Sequence, residues 1–137
     1  MPFNELDQVG STRKTLIFED ETYPIVGAAM EVYYKLGSGF SEPVYQEALA
    51  VEFSIRGIPF EAQKELRIEY KGHLLRKTYF ADFLCFGKII VEIKSLSQLT
   101  PSDWSQTLNY LKVSGLKVGL LFNFGNGVKL EQKRVVI

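Results

Sequence analysis

Asp82 is the lone charge in the run Tyr79–Phe80–Ala81–Asp82–Phe83–Leu84. After four intervening residues comes Ile89–Ile90–Val91–Glu92–Ile93–Lys94, with nine residues between Asp82 and Glu92. Both runs alternate or saturate in apolar residues and read as strands. In a strand, successive side chains point to opposite faces. Ile89, Val91 and Ile93 therefore share one face, while Glu92 and Lys94 share the other. A carboxylate and an ammonium thus project side by side from a strand otherwise composed for burial, and buried charges need a partner or a metal. A bland reading exists, in which Glu92 and Lys94 form a surface ion pair on an edge strand, worth little. The flanking isoleucines argue instead for a central strand.

The turn between the two strands decides whether Asp82 and Glu92 can meet. A two-residue loop, Phe86–Gly87, sends the carboxylates to opposite faces. A three-residue loop puts them on one face. Residues 86–88 as the loop would oppose them directly at about 5 Å, and residues 85–87 diagonally at about 7 Å. Phe is a poor first residue for a two-residue primed turn, which demands a positive φ there. The odd loop is therefore expected. Two carboxylates on one face form a hard-oxygen site suited to Mg²⁺ or Mn²⁺, completed by water and a substrate phosphate.

These residues must be positioned by a single domain, since the chain has 137 residues with 46% hydrophobic and 23% charged side chains. One cysteine, Cys85, and one histidine, His73, exclude a disulfide framework and a Cys/His zinc module. Residues 1–20 read as an arm, with one short extended piece at Thr15–Phe18, and 21–137 as the domain. No signal-peptide core and no membrane-spanning run is visible, so a cytoplasmic protein without a membrane partner is expected. Net charge is zero, but residues 1–61 carry 4 basic and 10 acidic side chains. The remainder reverses that balance, a weak hint of nucleic-acid contact.

The periodicity predicts helices over Tyr23–Leu36 and from Ser41 to Arg56, with Ser41 as cap and Gly57 as stop. In the second, Val44, Ala48, Val51 and Ile55 form one stripe, widened by Tyr45, Leu49 and Phe53. Strands follow at Leu66–Tyr70, Leu74–Leu84 and Ile89–Ser95. A helix starts at Thr100–Pro101–Ser102–Asp103, with Trp104, Leu108 and Leu111 as its buried stripe, and ends at Gly115. Val118–Phe124 reads as a strand covered on both faces. A last strand, Val128–Val136, follows the turn signal Asn126–Gly127. The order α-α-β-β-β-α-β-β predicts an α/β (α+β) domain, a mixed β-sheet flanked by helices.

Asp82 followed by Glu92–Ile93–Lys94 resembles the PD-(D/E)XK nuclease superfamily, with Ala81 where a proline usually precedes the aspartate. The run Gly39–Phe40–Ser41–Glu42–Pro43–Val44–Tyr45 reads G-x-x-E-x-x-Y. It precedes an EALA helix, a YKG turn, an ADF strand, an EIKS strand, a Q-x-x-x-Y helix and a GLLFNFG strand. From about Tyr23 to Arg134 the chain is similar to the GxxExxY protein family, a bacterial branch of that superfamily. The resemblance implies a restriction-endonuclease-like core and phosphodiester hydrolysis. It implies metal ligation by Asp82 and Glu92, with Glu42 as the acid that a helix adds to the metal site. Lys94 would position water or stabilise developing charge, Gln106 would orient a phosphate or water, and Tyr110 would support it. A histidine is often found where Tyr33 stands, and another near Asp103.

The expected function is thus a Mg²⁺- or Mn²⁺-dependent nuclease acting on DNA in preference to RNA, with a homodimer as the expected way to reach both strands. The alternative is a non-catalytic nucleic-acid or protein interaction module on the same fold. Lys64, Arg67, Lys71, Arg76 and Lys77 offer a phosphate-backbone face, and equally a solvated hairpin.

Overall fold

The structure, a computed structural model, describes residues 17–137. Most of the expected arm and of its extended piece lies outside them; Ile17 and Phe18 form a turn, with Phe18 at φ 58°. Helix α1 spans Glu19–Leu36, four residues longer at its start than the periodicity predicts. Pro24 reads as a helix start because proline lacks the amide that later turns need. The chain nevertheless runs helically through it. Glu19, Asp20 and Glu21 occupy the first turn, where the helix dipole favours anions.

Helix α2, Glu42–Arg56, matches its predicted span. Ser41 stands at the cap position, but its side chain makes no capping hydrogen bond. Only one of the two apolar stripes of α2 can face the sheet. Tyr45, Leu49 and Phe53 take that place, while Val44, Val51 and Ile55 stay exposed. Gly57 ends the helix at φ 70°, its N–H bonding back to the Phe53 carbonyl.

Strands β1 (Phe60–Tyr70) and β2 (His73–Cys85) form a long hairpin whose distal part, residues 69–77, is exposed. β1 starts six residues before the predicted Leu66, because Phe60–Glu65 carries no apolar alternation and is held by pairing with β2 instead. β3 (Ile89–Lys94) pairs antiparallel with β2 and parallel with β4 (Val118–Asn123). β4 pairs antiparallel with β5 (Glu131–Val136). The five-stranded mixed sheet has the order β1-β2-β3-β4-β5. β5 begins three residues later than predicted. Asn126–Gly127 is not a tight hairpin turn: the Asn126 Oδ1 accepts from the amides of Val128 (2.8 Å) and Lys129 (3.3 Å) and rounds a wider loop.

Helices α1 and α2 cover one face of the sheet, over Phe83, Ile89, Val91, Ile93 and Phe122. Helix α3 (Pro101–Ser114) covers the other, over Leu66, Ala81, Leu84 and Ile90. In α3 only Leu111 of the predicted stripe is fully buried; Trp104 and Leu108 are half-buried. This is an α+β fold with β3 and β4 in the middle, so the edge-strand reading of Glu92 and Lys94 is excluded.

The alternation of β2 reverses partway. Tyr79 and Ala81 pack toward α3, whereas Phe83 packs under α1 and α2. Strict alternation would put all three on one face. On β1 the same exchange separates Phe60 from Leu66. The crossing lies at Asp82 and at Gln63 opposite it, and Gln63 carries a positive φ of 52°. Such a kink re-aims the side chain at its centre.

Gly125 closes the far end of the fold. A Cβ there would lie 2.4 Å from both the N and O atoms of Leu96, which is rigid backbone. At Gly127 an added Cβ meets only Ser38 Oγ at 3.6 Å. Gly125→Ala is therefore expected to destabilise the protein by about 1–3 kcal/mol, and Gly127→Ala far less, as read by denaturant unfolding of both variants.

Candidate functional site

The loop joining β2 to β3 is residues 86–88, since Cys85 pairs with Ile89, Leu84 with Ile90 and Phe83 with Val91. The odd loop was expected, but its stated reason fails. Phe86 does take a positive φ, 56°, followed by Gly87 at 68°. The Lys88 amide closes this turn on the Cys85 carbonyl at 3.1 Å, and Lys88 becomes the extra residue. Phe86 is held there by its amide bond to the Pro59 carbonyl, 2.9 Å, and by packing against the core. Tertiary contact thus overrides the turn preference.

The register places Asp82 opposite Glu92, and there the regular ladder ends. The Asp82 amide donates to Glu92 Oε2 at 2.8 Å, and the Ile93 amide donates to Asp82 Oδ2 at 2.8 Å. Each carboxyl therefore binds the other strand's backbone. Glu92 is buried at 5% exposure. Its desolvation, reinforced by the neighbouring Asp82, pushes its carboxyl up to about 8. Desolvation also raises Asp82; the Ile93 amide, Lys94 and the Gln63 side chain oppose it, and Glu42 adds to it.

Glu42 is the first residue of α2 and is exposed. It acts on both acids through its charge. Among the described residues, no three His, Cys, Asp or Glu side chains are gathered closely enough to hold a metal. Glu42 thus overlooks the pair without joining it. The rest of the G-x-x-E-x-x-Y run explains itself as support. Gly39 has φ 112°. Tyr45 is fully buried, stacked on Phe124 at 4.7 Å. Its hydroxyl donates to the Gly37 carbonyl at 2.5 Å and accepts from the Phe40 amide at 3.3 Å. Ser95 Oγ donates to the Phe40 carbonyl at 2.6 Å, tying this loop to the end of β3.

Lys94 does not pair with Glu92. Its Nζ donates to Gln106 Oε1 at 3.1 Å, and Gln106 Nε2 donates to the Tyr110 hydroxyl at 3.2 Å. Burial, then the charge of Glu92, raises the Tyr110 phenol. Helical spacing brings Gln106 and Tyr110 to one side of α3.

Tyr33 and Asp103 have other partners. The Tyr33 hydroxyl donates to the Asn126 carbonyl at 2.6 Å. Asp103 Oδ2 accepts the Thr100 amide at 2.7 Å, as the capping signal predicts. Of the basic hairpin residues, Arg67 donates to the Leu75 carbonyl, Lys64 pairs with Glu61, and Lys71 and Lys77 lie over Tyr70 and Tyr79. His73 is exposed, and Cys85 is buried, its thiol pushed up to about 12 by desolvation.

Two residues were missed. Gln63, beside Asp82, gives no signal in a polar stretch. Asn123, fully buried, faces Lys94 across the parallel ladder. Its Oδ1 accepts from the amides of Leu96 (2.8 Å) and Gly125 (3.1 Å), and its Nδ2 donates to the Leu96 carbonyl (2.9 Å) and Glu131 (2.7 Å). A lone Asn ending an apolar strand was the available clue, since a buried amide must be fully bonded.

The raised carboxyl of Glu92 has a pH signature. Its value in the unfolded chain is near 4.5 and in the folded metal-free protein near 8. The folded state therefore holds the proton more tightly, and the stabilisation is complete below the unfolded value and lost as pH rises through the folded one. In a chelator, thermal stability should fall between about pH 4.5 and 8. Glu92→Gln should flatten that slope in melts across the range. An equally steep slope in the variant would assign the effect to another group.

Comparison with known proteins bears on the fold and the family. A family model described as the PD-(D/E)XK nuclease superfamily matches residues 19–135. Among curated proteins, none matches the sequence. A solved structure titled "Crystal structure of SSO0001" superposes with a TM-score of 0.55 at 17% identity, over 69% of this chain and 50% of that one. The chain thus spans half the length of that neighbour, and the likeness is one of fold. The family match covers nearly the whole described chain, and by it this protein belongs to the PD-(D/E)XK nuclease superfamily.

Proposed function

We propose that the chain is a divalent-metal-dependent phosphodiesterase of nucleic acid, acting on DNA in preference to RNA. One observation carries the reading: Asp82 and Glu92 interlock across β2 and β3, each holding the other strand's amide at 2.8 Å, with Lys94 beside them. The G-x-x-E-x-x-Y run supports placement in the branch of that name.

The donor set fits a magnesium-class ion. It consists of two hard carboxylates, each oriented by a backbone amide, and such ions are held by one or two carboxylates plus water and phosphate. A preformed cage of three side chains is not needed. Asp82 and Glu92 would hold the ion, with Glu42 overlooking them. When bound, the ion supplies Lewis acidity toward the phosphate and acidifies water. Because Glu92 holds its proton up to about pH 8, ion binding must displace that proton. Lys94, fixed by Gln106, presents its ammonium beside the acids, where phosphate charge develops in the transition state. Tyr110 buttresses Gln106.

The charge layout supports a direction of approach. Helices α1 and α2 carry seven acidic and two basic side chains, which repel phosphate. Residues 101–137 carry five basic and two acidic. A strand therefore approaches from the α3 side. The second reading, a non-catalytic binding module, is favoured by the position of Glu42 outside the acid pair.

A cleavage panel with Mn²⁺ on single- and double-stranded DNA and RNA tests the proposal. Lys94→Ala should retain the fold and metal binding, because its ammonium is no ligand, yet lose about two orders of magnitude in turnover. Asp82→Asn or Glu92→Gln should lose both, with metal binding read by thermal shift. If the parent cleaves nothing with any divalent ion, the binding-module reading takes its place.

A further inference from the structure

A groove of about 620 Å³ runs between the β1–β2 hairpin and α3. Its volume lies in the range of small-molecule sites, roughly 300–1,000 Å³. The hairpin wall is apolar, built from Ile68 of β1 and Tyr79 of β2. The α3 wall presents the exposed polar side chains of Ser105 and Asn109, with half-buried Val113 one turn further along. Ser105 and Asn109 offer the groove a hydroxyl and a carboxamide that can donate and accept. The groove also touches Gln106 and Tyr110, so its inner end reaches the bonding chain of Lys94.

The charges select the class of ligand. Asp103 and Lys112 also line the groove, one acid and one base. The Asp103 carboxylate is engaged at the helix cap. A phosphate-binding pocket wants a surplus of cations and bare amides. This groove offers a flat apolar wall, an aromatic ring and neutral hydrogen-bonding groups, which suit an uncharged heteroaromatic ring. Bases that are not paired expose both a stacking face and a hydrogen-bonding edge, and proteins take hold of such bases with aromatic side chains and polar groups.

We propose that this groove receives an unpaired nucleobase of the substrate strand, one that lies next to the phosphate at the acid pair. The proposal rests on the phosphodiesterase reading and adds to it a requirement for strand that is single or locally open. The base lies along the hairpin wall of Ile68 and Tyr79 and turns its edge to Ser105 and Asn109 on α3. A fully paired duplex keeps its bases stacked inside and cannot fill the groove.

The test is fluorescence anisotropy with the parent protein in a chelator. The labelled probes are a single-stranded DNA, an RNA of the same sequence, the blunt DNA duplex, and a DNA strand of equal length made of abasic nucleotides. The parent should bind the base-containing DNA or RNA strand roughly ten-fold more tightly than the abasic strand, the scale of one stacked base. Ser105→Trp and Asn109→Trp each fill the groove from an exposed helix position, and circular dichroism melts confirm that they fold. Both should lose the preference for bases. The proposal is overturned if the parent binds base-containing and abasic strands alike in both the DNA and RNA arms, or if both tryptophan variants keep the preference. Cleavage is scored separately. A groove-dependent base preference without cleavage supports the groove and sinks the phosphodiesterase reading. Cleavage without base preference keeps that reading and overturns the groove.

Discussion

Two buried amides need partners where β2 and β3 part company. The regular ladder runs through Phe83 and Val91, and just beyond it the amides of Asp82 and Ile93 would be left without acceptors. A buried unpaired amide costs about as much as a lost hydrogen bond. Glu92 and Asp82 supply the missing acceptors, each to the opposite strand. The gap in the ladder and the acid pair are therefore one feature. The backbone opens because the carboxyls fill it, and the carboxyls stay in place because the backbone needs them. Placing two acids there desolvates both, and the protein answers by protonating Glu92 rather than by separating the strands.

Such an arrangement requires a frame that does not yield. β3 and β4 are buried on both faces, with Ile89, Val91, Ile93, Val118, Leu120 and Phe122 in the core under α1 and α2. Asn123 then makes four hydrogen bonds, to Leu96 twice, Gly125 and Glu131, and fixes the chain just past Lys94. Tyr45 does the corresponding work at the other approach, holding residues 37–40 through its hydroxyl while its ring stacks on Phe124. The two supports meet at Ser95, whose hydroxyl reaches the Phe40 carbonyl. Glu42 lies three residues before Tyr45 on α2, so its position is set by a buried ring rather than by its own contacts.

The order of elements, the central place of β3 and the meeting of Asp82 with Glu92 were legible in the sequence, because burial pattern and strand period speak directly to them. The Lys94–Gln106 contact was not. Spacing on a helix says which residues share a side, but the docking of α3 decides what that side meets. The start of β1 was hidden because Phe60–Glu65 is held by its ladder and by Phe60 in the core, without an apolar rhythm of its own. The loop at Phe86 shows the reverse case, a correct register reached through a turn preference that the molecule overrides. Gln63 and the reversal of alternation at Asp82 lay beyond reach, since a kink in two paired strands leaves no trace in a period-2 reading.

Hydrogen-bond chemistry alone fixes the sense of the chain from Lys94 to Tyr110. An ammonium has only donors, so Gln106 must offer it the amide oxygen. That choice leaves the amide nitrogen facing Tyr110, which must accept there with its hydroxyl oxygen. The phenolic proton of Tyr110 is then not used by Gln106. A carboxylate at position 106 would hold Lys94 more strongly but could not donate onward, and the phenol would have to turn its own proton back toward it. An asparagine would fall one methylene short of Lys94. Glutamine both neutralises nothing and transmits direction, so the ammonium beside the acid pair keeps its full charge for an incoming phosphate while its position is still defined.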